Sequence, residues 1–199
     1  MQKLFFSALF IFAFACGGDS EQKKTKNQSI GPEQRELCNL AFTKVEEGKP
    51  LDIEDLKPLI KCRNEIGWTL IHTAAAHGNQ DAFDLLKNSE FNLDVRSSLT
   101  GKTPIHAVAL AVNFKEKPEK YKEILRDLLA SGLDINEQDE TGETPLYTAA
   151  EFGTVEMVQL LLQAGADPSI SNDYRQLPYH VAGQNVRGDS IEIRKLLSP

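Results

Sequence analysis

Three of the four histidines stand at matching places in similar short segments of the chain. His72, His106 and His180 each end a six-residue segment, and Tyr147 fills the same place in a fourth. A metal site needs ligands that converge on one point, whereas repeated segments space these rings along the chain. We therefore expect each imidazole to bond to neighbouring backbone and to a nearby threonine, where one is present. No metal site and no other cofactor is predicted.

The residues Gly101-Lys102-Thr103 imitate the end of a phosphate-binding loop. The complete motif requires a glycine five residues before Gly101, where Arg96 stands, so the nucleotide hypothesis fails. The chain contains no H-E-x-x-H, G-x-S-x-G or G-x-G-x-x-G pattern. The sequence predicts neither catalytic residues nor a small-molecule substrate, and the protein is expected not to be an enzyme.

An apolar run of twelve residues, 4–15, follows the single basic residue Lys3. This run is shorter than the roughly 20 residues that span a bilayer, but it fits the apolar region of a secretory signal peptide. It ends in Ala13-Phe14-Ala15, and Cys16 follows at once. Residues 1–15 are therefore predicted to be a signal peptide that is removed on export.

The position of Cys16 resembles that of the acylated cysteine in a bacterial lipoprotein signal, although Ala13 replaces the common leucine and Phe14 is bulky. The resemblance implies that Cys16 carries a lipid that anchors the exported chain to a bacterial membrane, on the periplasmic side or at the cell surface. The alternative is ordinary signal cleavage at the same place, with Cys16 incidental. The polar residues 16–32 are expected to form a flexible tether.

Cys38 and Cys62 are the remaining cysteines. In an exported protein two cysteines can form a disulfide, but Cys62 also fits a small buried apolar position. Both possibilities stay open. A redox-active pair is less expected, because the chain has no C-x-x-C motif.

The charge balance excludes one class of partner. The 199 residues include 22 Lys and Arg against 29 Asp and Glu, for a net charge of −7. A protein that binds duplex nucleic acid needs clustered positive charge, so no nucleic-acid partner is predicted. The length suits one domain with appendages.

Internal repetition organises the rest of the chain. Four segments align: 67–72 (GWTLIH), 101–106 (GKTPIH), 142–147 (GETPLY) and 175–180 (RQLPYH). Threonine suits a helix N-cap and proline the first helical position, so each segment predicts the start of a short helix. Gly78 and Gly153 are expected to end such helices in the left-handed conformation. In the third copy, Val155, Val158, Leu161 and Leu162 predict a second, amphipathic helix.

This pattern closely resembles the ankyrin repeat over about residues 62–199. The resemblance implies an all-α solenoid of about five stacked helix-turn-helix repeats joined by short hairpin connectors. The expected units are a degenerate N-terminal capping repeat over 33–66, then repeats over 67–100, 101–141 and 142–174, with 175–199 as the C-terminal cap. The second repeat carries eight extra residues around 112–120. We expect them to leave the stack as a loop, either a binding element or a solvated finger.

The same resemblance implies that the concave face binds a protein partner, whose identity the sequence does not give. The candidate contact residues on connectors and first helices are Trp68, His77, Leu99, Asp139, Glu151, Phe152, Tyr174 and Arg175. The predicted function is a protein-protein interaction module displayed in the bacterial cell envelope. The alternative is an envelope stress or redox-protection factor that acts on or with a peroxide-defence enzyme.

Overall fold

The structure is a computed structural model that describes residues 31–51, 56–111 and 114–198. The predicted signal segment, Cys16 and nearly all of the predicted tether lie outside the described residues. Within the described ranges the regular structure is helical, with nine α-helices, two 3-10 helices and no β-strand.

The α-helices are numbered in chain order. They are α1 (Pro32–Glu46), α2 (Leu70–His77), α3 (Gln80–Lys87), α4 (Pro104–Leu110), α5 (Pro118–Ala130), α6 (Pro145–Phe152), α7 (Val155–Gln163), α8 (Pro178–Val181) and α9 (Ser190–Leu197). The 3-10 helices span Lys57–Leu59 and Ala182–Gln184.

The helices form two rows. In the inner row α1, α2, α4, α6 and α8 pack each on the next. In the outer row α3 contacts α5 and α7 contacts α9, and each complete repeat pairs an inner helix with the outer helix that follows it. Alanines occupy the contacts of the inner row, and Ala75, Ala107 and Ala149 are fully buried. Small side chains let neighbouring inner helices approach closely, so apolar surface that one pair cannot cover is covered by the next pair.

Short polar side chains begin the helices, as the sequence predicts. The Thr144 hydroxyl accepts a hydrogen bond from the Tyr147 amide (3.2 Å), and the Thr154 hydroxyl accepts one from Met157 (3.2 Å). The prolines of the repeated segments stand at the first helical positions, where no amide hydrogen is needed; they are Pro104, Pro145 and Pro178.

The two glycines expected to end inner helices in the left-handed conformation differ. Gly78 has φ 58° and confirms the expectation. Gly153 has φ −82°, so the expectation is wrong there. Glycine is needed here for lack of space instead, because an added Cβ would lie 2.7 Å from the Ala149 carbonyl oxygen and 2.8 Å from that of Ala109.

The extra residues of the second repeat divide between a connector and a helix. The connector between α4 and α5 runs over 111–117, against 78–79 and 153–154 in the other repeats, and its Lys115 and Glu116 are exposed. The remaining residues lengthen α5, which begins at Pro118 and has 13 residues against eight in α3 and nine in α7. Phe114 and Tyr121 are buried, and the Tyr121 hydroxyl donates to the Ala76 carbonyl (2.8 Å). The insertion therefore packs a tyrosine against the end of the preceding repeat. Residues 112–113 lie outside the described residues.

The N-terminal capping repeat consists of α1 and the 3-10 helix Lys57–Leu59, with residues 52–55 outside the described ranges. A disulfide joins Cys38 of α1 to Cys62, with the Cα atoms 5.7 Å apart. The two cysteines are only 3% and 0% exposed, so an external thiol reaches the sulfur atoms only after local opening. The bridge is therefore placed as a structural cross-link, which stabilises the fold by restricting the unfolded chain.

Candidate functional site

The buried histidines connect neighbouring repeats. The His72 Nδ1 accepts a hydrogen bond from the Thr69 amide (3.3 Å), and its Nε2 lies 2.9 Å from the Lys102 carbonyl oxygen. His106 repeats the arrangement with the Thr103 amide (3.1 Å) and the Glu143 carbonyl (2.9 Å). A carbonyl oxygen only accepts, so the proton is on Nε2 and each ring is neutral. The predicted hydrogen-bonding role of these two rings is confirmed.

Burial keeps both rings uncharged. It lowers the pKa of His72 to about 4 and, with the nearby Lys102 ammonium, that of His106 to about 3. Protonation would place a donor on Nδ1 opposite the amide that now donates to it. These histidines connect neighbouring repeats, and their rings are buried away from solvent.

The four connectors end in turns that we call tips. Tip 1 is Asn64–Gly67, tip 2 is Ser97–Gly101, tip 3 is Asp139–Gly142 and tip 4 is Asn172–Arg175. Each of tips 2, 3 and 4 donates a backbone hydrogen bond to the tip before it. The bonds run from Ser98 N to Gly67 O (3.1 Å), from Glu140 N to Thr100 O (3.0 Å) and from Asp173 N to Thr141 O (3.1 Å). The donor is the second residue of its tip in all three bonds, whereas the acceptor is the glycine in tip 1 and the threonine before the glycine in tips 2 and 3.

The first residue of each tip holds the turn. The Asp139 Oδ1 accepts from the amides of Thr141 (2.8 Å) and Glu143 (3.0 Å), and Asn172 does the same in tip 4. Asp139 is only 8% exposed. We predicted Asp139 as a partner contact from its place in a connector, but its carboxylate is turned inward and bonded within the fold.

A buried ion cluster lies between the second and third repeats. The Lys102 Nζ is 2.6 Å from Asp139 Oδ2, 2.9 Å from Glu143 Oε2 and 3.4 Å from Thr148 Oγ1. Burial by itself lowers the pKa of Lys102, but the Glu143 and Asp139 carboxylates outweigh it and raise the pKa above its ordinary value. Sequence reasoning rejected Lys102 as part of a nucleotide loop and missed this role. The sequence does contain one indication of this role: Lys102 and Glu143 occupy equivalent positions in neighbouring repeats, because each directly precedes the threonine of its segment.

Glu151 lies beside this cluster on α6. Burial and the neighbouring Glu143 carboxylate raise its pKa to about 7, although Lys102 opposes the shift. Burial and the same carboxylates raise the pKa of Tyr147 to about 12, and its hydroxyl bonds to Gln176 Oε1 (3.3 Å). Polar groups thus extend from the buried Lys102 to Gln176, and of these Glu143, Glu151 and Gln176 reach the surface.

The other predicted contact residues are spread over different surroundings. Trp68 is only 6% exposed and its ring stacks on His72 with centroids 5.8 Å apart, so it belongs to the packed interior and not to an open surface. His77 is half-buried at the end of α2, where burial lowers its pKa to about 4. The backbone carbonyl of the half-buried Phe152 accepts from Arg187 Nε (2.7 Å).

The remaining three predicted residues lie on tips. Leu99 is 47% exposed and Tyr174 is 74% exposed. Arg175 is exposed and has φ 60°, the left-handed conformation that glycine adopts at the same place in the other tips. The structure brings Glu143, Glu151 and Gln176 together on one side of the stack, and it places Leu99 and Tyr174 along the tips.

Comparison with known proteins agrees with this architecture. Residues 110–199 match the family model described as Ankyrin repeats (3 copies). The chain is 32% identical over 108 residues to Protein phosphatase 1 regulatory subunit 12A of Mus musculus, covering 54% of this chain and 10% of that protein. It is 29% identical over 124 residues to the B-cell lymphoma 3 protein homolog of Mus musculus, covering 62% of this chain and 26% of that protein.

A longer match, 28% identical over 163 residues, covers 79% of this chain but 11% of Alpha-latrotoxin-Lt1a of Latrodectus tredecimguttatus. The chain thus spans about a quarter or less of the length of each of these relatives. Residues 110–199 thus match ankyrin repeats, and the two-row stack of the described residues has the architecture of an all-α ankyrin solenoid. Ankyrin repeats indicate a protein-protein interaction module and give no positive sign of catalysis.

Replacing Lys102 tests the buried cluster. Lys102→Met leaves the Asp139 and Glu143 carboxylates without their shared cation, and we expect the free energy of unfolding to fall by about 3 kcal/mol in urea denaturation. The double variant Lys102→Met/Asp139→Asn should recover part of this loss, because asparagine keeps the turn that Asn172 makes in tip 4. A single-variant loss below about 1 kcal/mol, the range of exposed ion pairs, would contradict the role of this cluster.

Glu151 should give the protein a pH-dependent stability. Its pKa is about 7 in the folded chain against the ordinary glutamate value of 4.5. Between these values the folded state holds a proton that the unfolded state has lost, so stability rises as the pH falls from 8 to 5. We expect this rise to exceed that of Glu151→Gln by about 1 kcal/mol, after allowance for the partial exposure of the carboxyl.

The measurement is urea denaturation of both proteins at several pH values. Glu156→Gln, on the exposed side of α7, is the matched control and should follow the wild-type profile. Parallel profiles for the wild type and Glu151→Gln would show that Glu151 does not titrate in this interval.

Proposed function

We propose that this protein is an ankyrin-repeat lipoprotein of a bacterial cell envelope that binds a protein partner. It binds through the face formed by the inner helices and connectors, which is the concave face of the predicted solenoid. We call this the inner face. The observation that carries the proposal is the polar surface formed by Glu143, Glu151 and Gln176 on the third and fourth repeats, which the buried Lys102 and Tyr147 support from below.

The hydrogen bonds of this surface fix its groups before a partner arrives. Lys102 holds Glu143 at 2.9 Å, and Tyr147 holds Gln176 at 3.3 Å. Glu143 and Glu151 nevertheless reach solvent in part, and Gln176 is exposed. A surface whose side chains are already ordered loses less conformational entropy on binding, which favours a specific partner. Tyr174 adds an exposed aromatic ring of the kind that anchors many interfaces.

Two features support the placement in the envelope. The first is the apolar run 4–15 followed by Cys16, which together have the form of a lipoprotein signal. The second is the Cys38–Cys62 bridge, because disulfides persist in oxidising compartments such as the periplasm. No helix among the described residues is long and apolar enough to cross a membrane. In this proposal the lipid on Cys16 provides the attachment.

Mass spectrometry of the mature protein tests the anchor. In bacterial membranes the chain should begin at Cys16 with a mass increase equal to its lipid. Cys16→Ala should lose that increase and move to the soluble fraction. A mature wild-type chain that starts at Cys16 without added mass would contradict lipidation and support ordinary signal cleavage.

Site-directed photo-crosslinking tests the binding face. A photoreactive residue at Gln176, on the inner face, should form one discrete cross-linked product in intact cell envelopes. The same residue at Glu156, on the exposed side of α7, is the control and should not form this product. Glu143→Ala should weaken the Gln176 product several-fold, because it removes one charged group from the same surface. Equal products from both sites would contradict recognition by the inner face.

A further inference from the structure

The middle residues of the tips form a second surface, which we call the tip row. It comprises Glu65 and Ile66, Ser98 and Leu99, Glu140 and Thr141, and Asp173 and Tyr174. The second residue is a carboxylate in tips 1, 3 and 4 and Ser98 in tip 2, and the residue that follows is apolar in three of the four tips. Leu99 and Tyr174 are 47% and 74% exposed, whereas Ile66 is half-buried. The row therefore carries an acidic line beside a mainly apolar one.

The carboxylates of the tip row have no ion-pair partner among residues 31–51, 56–111 and 114–198. Glu65, Glu140 and Asp173 are exposed, and none of them has a salt bridge with another described residue.

The nearby connector cations are engaged elsewhere. Arg63 donates to the carbonyls of Ile60 and Cys62, Arg96 pairs with Glu137, and Lys102 is buried with Asp139. Arg175 is the one exposed cation in the described tips. The tip row thus has an excess of negative charge and complements a basic partner.

The spacing of the row selects the conformation of that partner. Each connector pairs two backbone segments, as in the bonds from Ser97 N to Lys102 O and from Asp139 N to Glu143 O. At about 4.8 Å for each segment, we expect equivalent residues of successive tips about every 10 Å. In an extended strand, side chains on one face are about 6.6 or 13 Å apart, and neither distance matches. In an α-helix, residues seven apart lie on one face at about 10.5 Å. In a helix laid along the tips, residues seven apart therefore face successive tips.

We propose that the tip row binds a basic amphipathic helix of the partner protein, with cationic side chains at seven-residue spacing over the carboxylates and an adjacent apolar stripe over Leu99 and Tyr174. This inference rests on the proposed protein-binding function and specifies the chemistry of the partner. An anionic lipid surface does not fit, because the exposed carboxylates of the row repel it.

Two synthetic peptides of 22 residues test the inference on the mature wild-type chain. One has lysine at every seventh position and leucine four residues after each lysine. The other has the same composition with the lysines distributed around the helix. We expect the striped peptide to bind at least tenfold more tightly in fluorescence anisotropy at low salt, and to weaken as salt is added.

Charge reversal on the tips provides the decisive comparison. Glu140→Lys/Asp173→Lys should weaken binding of the striped peptide about tenfold. Glu156→Lys/Glu192→Lys is the matched control, with the same charge change on exposed positions of α7 and α9, and it should bind as the wild type does once circular dichroism shows that both variants are folded. Equal loss in both variants, or equal affinity for the two peptides, would overturn the inference.

These outcomes are separate from those of the crosslinking experiment. If the peptides do not discriminate but Gln176 still captures a discrete product, only the inference about the tips fails. If Gln176 and Glu156 give the same products, the proposed binding face fails whatever the peptides do.

Discussion

The hydrogen bond from an inner-helix imidazole to the next connector is the interaction on which the stack depends. His72 reaches the Lys102 carbonyl and His106 reaches the Glu143 carbonyl, each at 2.9 Å. Each bond joins a helix of one repeat to the backbone of the next, and each satisfies a ring nitrogen that burial would otherwise leave unpaired. On the other side of each ring, Nδ1 accepts from the threonine amide of its own repeat, which requires a neutral ring, and burial maintains that state.

The chain uses the same contact differently where the repeats diverge. Tyr147 replaces the histidine in the third repeat and reaches the side chain of Gln176 instead of a carbonyl. His180 in the fourth segment is exposed, and its Nδ1 accepts from the Leu177 amide. The buried imidazole bonds thus fix the first three repeats, while a more accessible polar network continues across the third and fourth. This is why the inner face of the later repeats offers polar atoms that remain accessible.

The tips also differ at the C-terminal end of the stack, where an arginine replaces the glycine of the earlier tips. At Gly142 an added Cβ would lie 2.6 Å from the Asp173 carboxylate of the next tip, so only glycine fits at this position beneath tip 4. Arg175 takes the equivalent place in tip 4 with φ 60°. Within the described chain no later tip packs against it, which leaves room for its side chain. The exposed Tyr174 beside it is therefore a feature of the last tip, and the tip row ends there.

The sequence by itself determined the repeat. Its Thr-Pro starts, its four aligned segments and the three-to-four spacing in α7 depend on local capping and periodicity, which a linear chain displays directly. Only the tertiary structure decided the environment of each candidate site residue. Trp68 and Asp139 have the residue types of contact residues but are buried. Lys102 is paired with carboxylates that lie 37 and 41 positions away in the sequence. Tyr121, which follows the insertion, is buried and bonds to the preceding repeat. Burial and ion pairing are sums over neighbours from other repeats, so no short segment of sequence contains them.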